Sequence, residues 1–329
     1  MNLVGKISKH SIVIFKDRGN TELYNFEREN GKHIVENNRT NGVLSEKSAR
    51  RLKNTINTFL YTCDMASTVS RSIKELKFVK PTFVTLTLCA PQFHTDLEVK
   101  RLLLNTFIVY VQREVGVINY IWRAEKQKNN NIHFHLLFDK HIDWKLIRSL
   151  WNQILKNTGY LEKYTKEMSS LSLHKYIAKF SKGGQVSEDI LEARYKAGVA
   201  CLWSDPNSTD IHAISKVDSV NAYICKYMAK AGNGKELKIE GRLWGCSDSI
   251  KVLKSCIEEV TAEELNILKE KAKFGDIISM DAEFYTVYYC KSGKILEDLR
   301  NLKDKYERCY YYNCIELFQT SIQIQMADI

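Results

Sequence analysis

The spacing of hydrophobic positions along the chain predicts several amphipathic helices. Apolar residues recur at helical intervals over three segments, which are residues 45–70, 96–115 and 143–156. Ser45 and Asp143 stand at the starts of two of these segments, where their side chains can cap a helix. Gly116 and Gly159 follow two of the segments and suit the turn that ends a helix. A further helix is predicted over DSVNAYICKYMAKAG, which begins at Asp218.

Runs of β-branched and aromatic residues predict strands between these helices. The run FVTLTLC follows Pro81, and VINYIWRAEKQ and NIHFHLLFD are separated by Lys128 and two asparagines. Asparagine tolerates the left-handed backbone of a tight turn, so these two runs are predicted to form a hairpin. IHAISKV is a further strand, and FYTVYYC is the one strand predicted in a mostly helical stretch after residue 235.

The order of these elements predicts an α+β fold, with a central antiparallel β-sheet, flanking helices and helical appendages. Residues 1–75 form a leader with hairpins and a helix, and residues 76–250 form the main domain. The polar stretch at about 160–209 is predicted to be an insertion with loops and one or two helices. Residues 251–329 are predicted to be a mostly helical C-terminal extension.

Composition narrows the class of partner. The formal net charge is +10, which favours a polyanionic partner such as nucleic acid. The nine cysteines include no C-x-x-C pair, so a zinc ribbon is not indicated, and reduced thiols fit a cytoplasmic location. The first twenty residues lack the pattern of a signal peptide, and no apolar run reaches membrane-spanning length. We therefore expect a soluble cytoplasmic protein with no membrane partner.

Three residues on the predicted hairpin could hold a metal ion. His133 and His135 are alternate residues of one strand and therefore face the same side of the sheet, whereas Phe134 faces the other. A symmetric register about the asparagine turn places Glu125 opposite His133. Two imidazoles and one carboxylate form a three-ligand site with open positions for water and a phosphate oxygen. The alternative is a pair of half-exposed histidines, with Glu125 as a surface charge beside Lys126 or Lys128.

A second group of candidates lies on the helix predicted after Asp218. Tyr223 and Tyr227 are four residues apart, so both phenols lie on one helical face. Lys226 stands beside the pair, and a nearby cation lowers the pKa of a phenol and can neutralise charge on a phosphate. Packing of one tyrosine against the sheet is the alternative, and Tyr176 is a rival candidate because a lysine follows it at the same spacing.

Taken in order, FVTLTL, WRAEKQ with HFH, and YICKYMAK resemble the three motifs of the HUH endonucleases. The two-tyrosine form is similar to rolling-circle replication initiators of microviruses. The segments LCAPQFHTD, NIHFHLLFDK, SDPNSTDIH and RLWGCSDS are similar to replication-associated proteins of plasmids and phages of Bacteroidetes-type bacteria. The resemblance covers roughly residues 80–250.

The resemblance implies a sheet like the palm of HUH and RRM proteins and a nuclease that nicks and rejoins single-stranded DNA. His133, His135 and Glu125 would hold Mg²⁺ or Mn²⁺, and Tyr223 would form a 5′-phosphotyrosine. Tyr227 would take a second cleavage, and Lys226 would assist the phenolate. The implied partners are single-stranded DNA at a replication origin with a hairpin or inverted repeat, and the helicase and polymerase of a bacterial host.

Two other functions stay open at this point. A mobilisation relaxase or a single-strand transposase would use the same chemistry, although the tyrosine pair and the lack of a G-x-x-x-x-G-K-[ST] motif favour replication initiation. A non-catalytic origin-binding protein would need neither the histidines nor the tyrosines.

Overall fold

A computed structural model describes residues 3–8, 10–16, 42–72, 81–181, 186–213, 224, 225, 228, 237–251, 256–290, 292 and 294–327 of the chain. The chain forms two compact units. One comprises residues 40–60 and 77–247, and the other comprises residues 1–39, 61–76 and 248–329. The mixture of helices and antiparallel sheets confirms the predicted α+β class.

The secondary structure follows the predicted order, with additional short strands. The strands are β1 (Leu3–Ile7), β2 (Ser11–Lys16), β3 (Thr82–Leu86), β4 (Tyr120–Lys126), β5 (Ile132–Phe138), β6 (Thr209–Ala213), β7 (Trp244–Cys246), β8 (Cys256–Glu259), β9 (Ile278–Asp281) and β10 (Tyr285–Tyr289). The helices are α1 (Glu46–Ser72), α2 (Asp96–Glu98), a π-helical segment (Val99–Leu104), α3 (Asn105–Val115), α4 (Trp144–Asn157), α5 (Tyr160–Ser169), α6 (Leu173–Phe180), α7 (Glu188–Ala200), α8 (Asp248–Lys251), α9 (Ala262–Lys273) and α10 (Arg300–Ala327).

The unit of residues 40–60 and 77–247 is built on a five-stranded antiparallel sheet. Its strand order is β6-β3-β5-β4-β7, so the hairpin of β4 and β5 lies in the middle. One face of the sheet packs against α3 and α4, and the apolar side chains between them are fully buried. Residues of this core include Val84, Leu86, Phe107, Phe134 and Trp151. The predicted central antiparallel sheet is therefore confirmed.

Local signals account for the helix boundaries in this unit. The Asp143 side chain accepts a hydrogen bond from Lys145 N at 2.8 Å and caps α4, as predicted. The Ser45 hydroxyl accepts one from Ser48 N at 3.2 Å at the start of α1. Gly116 ends α3 with φ 66°, a left-handed conformation that glycine adopts without strain.

The stretch 160–209 contains three helices in its described residues, α5, α6 and α7, where the sequence predicts one or two. Met168, Tyr176, Leu191 and Trp203 form a small apolar cluster between them. The prediction was too low because polar residues dominate these helices, and only a few positions in each are buried.

The second unit contains another five-stranded antiparallel sheet, with strand order β8-β1-β2-β10-β9. Strands β1 and β2 come from the N-terminal region and pair with β8 and β10 from the C-terminal region. FYTVYYC forms β10 as predicted, but the prediction of a single strand after residue 235 is wrong, since β7, β8 and β9 also lie there. Each of these has only three or four residues, too few for alternation to mark a strand.

Among the described residues, no helix is long and apolar enough to cross a membrane.

Candidate metal centre

The β4–β5 hairpin places the predicted ligands side by side. Glu125 pairs with His133 and Arg123 pairs with His135, so the symmetric register predicted from the sequence is confirmed. The turn closes through Asn130, which adopts the left-handed backbone with φ 66°.

Hydrogen bonds from a neighbouring loop hold this turn in place. The Asn131 carboxamide accepts a hydrogen bond from Gln92 N at 2.8 Å and donates one to Ala90 O at 3.0 Å. The Gln92 carboxamide oxygen in turn accepts a hydrogen bond from Ile132 N at 2.8 Å. Because both ends of the turn are anchored, the register of the hairpin is fixed.

The two imidazoles and the carboxylate converge on one face of the sheet. Glu125 Oε2 lies 3.5 Å from Nε2 of His133 and 3.5 Å from Nε2 of His135. One ligand atom from each residue lies within 4.8 Å of the others, and Phe134 points into the core on the opposite face. Metal–ligand bonds of about 2.1 Å allow ligand atoms up to about 4 Å apart to share one ion. The three side chains could therefore hold a metal ion.

Residues of β3 hold the ring of His135. Thr85 pairs with His135 across the strands, and its Oγ1 lies 3.0 Å from His135 Nδ1. The Phe83 ring stacks on the imidazole with ring centroids 5.7 Å apart and an interplanar angle of 10°. Because Nδ1 is engaged by the hydroxyl, Nε2 is the nitrogen that faces Glu125.

Burial and charge keep these groups in the forms that bind a cation. Burial lowers the pKa of His135, which favours the neutral imidazole. Burial also tends to raise the pKa of Glu125, but hydrogen bonds with His133 and His135 outweigh it and hold the pKa of this carboxyl well below its ordinary value. Arg123 Nη2 lies 3.4 Å from Glu125 Oε1 and adds a positive charge to the same face.

The donor set fits a divalent ion of the first transition series. Two imidazole nitrogens and one carboxylate oxygen on one side of an ion leave positions open, a pattern suited to Mn²⁺. Mg²⁺ prefers oxygen ligands and would take most of them from water and phosphate. Within the described part of the chain, Glu125, His133 and His135 are the one such group of three potential ligands.

The predicted nucleophiles Tyr223 and Tyr227, and Lys226 beside them, lie outside the described residues. Ile224, Cys225 and Met228 of the same segment are described, and all three are helical. Ile224 and Met228 are fully buried, and Cys225 Sγ lies 3.4 Å from Asn57 Oδ1 on α1.

The rival tyrosine, Tyr176, belongs to the apolar cluster of the 160–209 stretch. Its ring contacts Phe180, Tyr195 and Trp203, with centroid distances of 4.6, 5.3 and 5.6 Å. Burial raises the pKa of its phenol. This environment stabilises a neutral phenol and gives the ring a packing role.

Three residues of this face were not singled out from the sequence. Thr85 and Arg123 contact the ligands, and Gln127 lines a cavity next to Glu125. The alternation of FVTLTL puts Thr85 on one face of its strand, but it does not reveal which strand lies beside it.

Residues 81–232 match the model of a family described as Replication-associated protein ORF2. No curated protein and no solved structure matches the chain. The matched segment contains β3, β4, β5 and β6, and therefore the three potential metal ligands. The similarity supports a role in the initiation of DNA replication.

Proposed function

We propose that this chain is a rolling-circle replication initiator that nicks and rejoins single-stranded DNA at an origin. The observation that carries the proposal is the convergence of Glu125, His133 and His135 on one sheet face, inside the segment similar to replication-associated proteins. A protein that only binds an origin has no need of such a ligand set, which favours a nuclease over a non-catalytic DNA-binding protein.

Glu125, His133 and His135 would hold Mg²⁺ or Mn²⁺. When bound, the ion would polarise the scissile phosphate and fix its position. Arg123 lies on the same face and would add positive charge where the phosphate sits. Thr85 and Phe83 would keep the His135 ring oriented.

The nucleophile in this proposal is Tyr223. Its phenolate oxygen would attack phosphorus in line with the 3′-oxygen, forming a tyrosine–phosphorus bond as the bond to the 3′-oxygen breaks. The leaving oxygen takes up a proton and becomes a free 3′-OH, which a host polymerase can extend once a helicase has opened the duplex. Lys226 would stabilise the phenolate. Tyr227 would take a second cleavage in the same way.

Conservation of the phosphodiester energy explains the choice of a tyrosine. The covalent 5′-phosphotyrosine can be attacked by a 3′-OH, so the strand is closed without ATP. A replication initiator of this kind would work in the cytoplasm of a bacterial host, on an origin that exposes a hairpin or inverted repeat. A mobilisation relaxase or single-strand transposase would use the same residues on other DNA sequences.

The test is the formation of a covalent adduct that survives SDS. Purified protein is incubated with Mn²⁺ and single-stranded fragments that tile the encoding replicon. We expect one fragment to form the adduct, EDTA to prevent it, and His133→Ala to remove it while leaving most DNA binding. Adduct formation that is unaffected by EDTA would contradict the metal site.

Tyrosine variants test the nucleophile in the same assay. Tyr223→Phe should abolish the adduct or strongly reduce it, and Tyr227→Phe should leave first-strand cleavage in place. Tyr176→Phe is the matched control, because its ring packs in a separate aromatic cluster. Loss of the adduct in Tyr176→Phe, with none in Tyr223→Phe, would overturn the assignment.

A further inference from the structure

A cavity of about 340 Å³ lies beside the candidate metal centre, at the exposed end of β4. Strand β7 pairs with β4 only from Ile121 to Arg123, and the cavity lies next to the residues of β4 that follow. We infer that this cavity receives one nucleobase of the DNA strand, from the nucleotide adjacent to the scissile phosphate. The inference rests on the proposed function and specifies a substrate subsite for it.

The cavity is continuous with the metal centre. Glu125 and Arg123 line it, and the same two side chains lie beside His133 and His135 on the sheet face. A phosphate held at the three ligands would therefore have its own nucleotide, or the next one, within reach of the cavity. Lys128 lies at the same end of β4, exposed in the turn, where it can contact a neighbouring phosphate.

One wall of the cavity is apolar and is held by backbone hydrogen bonds. Leu44, Ile239 and Leu243 line it, and each is at most 5% exposed. Ile239 N donates to Gly42 O at 3.0 Å, and Ala124 N donates to Leu243 O at 2.8 Å. These bonds tie the wall segments to each other and to β4, so the wall is in place before a ligand arrives. An apolar wall of this kind suits the face of a base.

The opposite side offers groups that can read the edge of a base. Gln127 lines the cavity, and its carboxamide supplies donors and an acceptor that can form two hydrogen bonds with one base. Arg123 and Glu125 add a donor and an acceptor at the end nearest the metal centre. An extended peptide would need a longer groove, whereas a single planar ring matches the size of this cavity and its polar edge.

The experiment uses the full chain, Mn²⁺ and a randomised single-stranded DNA library, and sequences the strands captured as SDS-stable adducts. The wild-type protein should show a preference of about tenfold or more for one base immediately beside the cleaved bond. Gln127→Leu removes the hydrogen-bonding groups and Ile239→Phe fills the cavity. Each should reduce that preference at this one position to near zero and leave the preferences at other positions unchanged.

Gln153→Leu on the exposed surface of α4 is the matched control and should retain the wild-type profile. Thermal unfolding checks that Ile239→Phe still folds, and Gln127→Leu supplies the same test without changing the core. Identical sequence profiles for the wild type and both variants would overturn the inference and leave the proposed function standing. A uniform loss of adducts across all sequences would also overturn it. A wild-type protein that captures no DNA would instead remove the proposed function together with the subsite.

Discussion

Thr85 and His135 face each other across β3 and β5, with the threonine hydroxyl 3.0 Å from Nδ1 of the imidazole. The hydroxyl fixes which nitrogen of the ring is available as a ligand, and the stacked ring of Phe83 limits its rotation. The metal centre therefore depends on a strand that supplies none of its three ligands.

The Thr85→Val substitution should weaken metal binding without removing a ligand. Valine keeps the shape of the side chain but cannot hydrogen-bond to Nδ1, so the ring of His135 loses its orientation. Loss of such a partner weakens metal affinity by about 10- to 100-fold. Isothermal titration with Mn²⁺ measures the change. Thr87→Val is the control, because that hydroxyl donates to Ser208 O and contacts no ligand. Equal Mn²⁺ affinities for the two variants would contradict the role of Thr85.

A second relationship stabilises the frame of the hairpin. Lys126 Nζ lies 2.7 Å from Asp96 Oδ1, and both side chains are less than one-tenth exposed. The same carboxylate accepts hydrogen bonds from the Gln92 side chain at 2.7 Å and from Glu240 N at 3.2 Å. Asp96 thus joins the start of α2, the end of β4 and the segment before β7.

The Asp96→Ala substitution should lower the free energy of unfolding of this unit by about 3–5 kcal/mol, because it leaves the Lys126 charge buried without its partner. Adding Lys126→Met should recover most of the loss. All five tryptophans lie in the unit of residues 40–60 and 77–247, so their fluorescence during urea unfolding reports on this unit. If the double variant were no more stable than Asp96→Ala, the unpaired charge would not be the cause of the loss.

Local patterns predicted the parts of the site that lie close together in the sequence. Glu125 and His133 are eight residues apart, and strand alternation with a symmetric turn determines their pairing. The cap at Asp143 and the left-handed Gly116 are equally local. Each of these depends on backbone geometry within one element or one turn.

Contacts between distant segments could not be predicted in this way. Thr85 lies fifty residues before His135, and Asp96 lies 144 residues before Glu240. The pattern of β3 shows that it is a strand, but which strand it pairs with depends on the competition among all strands in the folded chain. The same holds for β1 and β2, which pair with β8 and β10 from the other end of the sequence.

The last prediction concerns the opposite end of the hairpin, where Asp139 is buried. Its Oδ2 accepts hydrogen bonds from Asn119 N at 2.9 Å and from Asn119 Nδ2 at 2.7 Å. Burial outweighs these bonds and raises the pKa of Asp139 from 3.8 to about 6. The folded state therefore binds a proton at this carboxyl more tightly than the unfolded chain does.

The sign of the pH dependence follows from this difference. Between pH values of about 4 and 6 the folded chain holds the proton that the unfolded chain has lost, so the Asp139 contribution to stability falls as the pH rises. The total change is about 3 kcal/mol for a shift of about two pKa units. Asp139→Asn cannot titrate but can still accept hydrogen bonds from Asn119. The difference in free energy of unfolding, wild type minus variant, should thus decrease over this pH range when followed by tryptophan fluorescence. Asp189→Asn, at an exposed position of α7, should give a much flatter difference. Parallel curves for the wild type and Asp139→Asn would show that the buried carboxyl does not control this part of the profile.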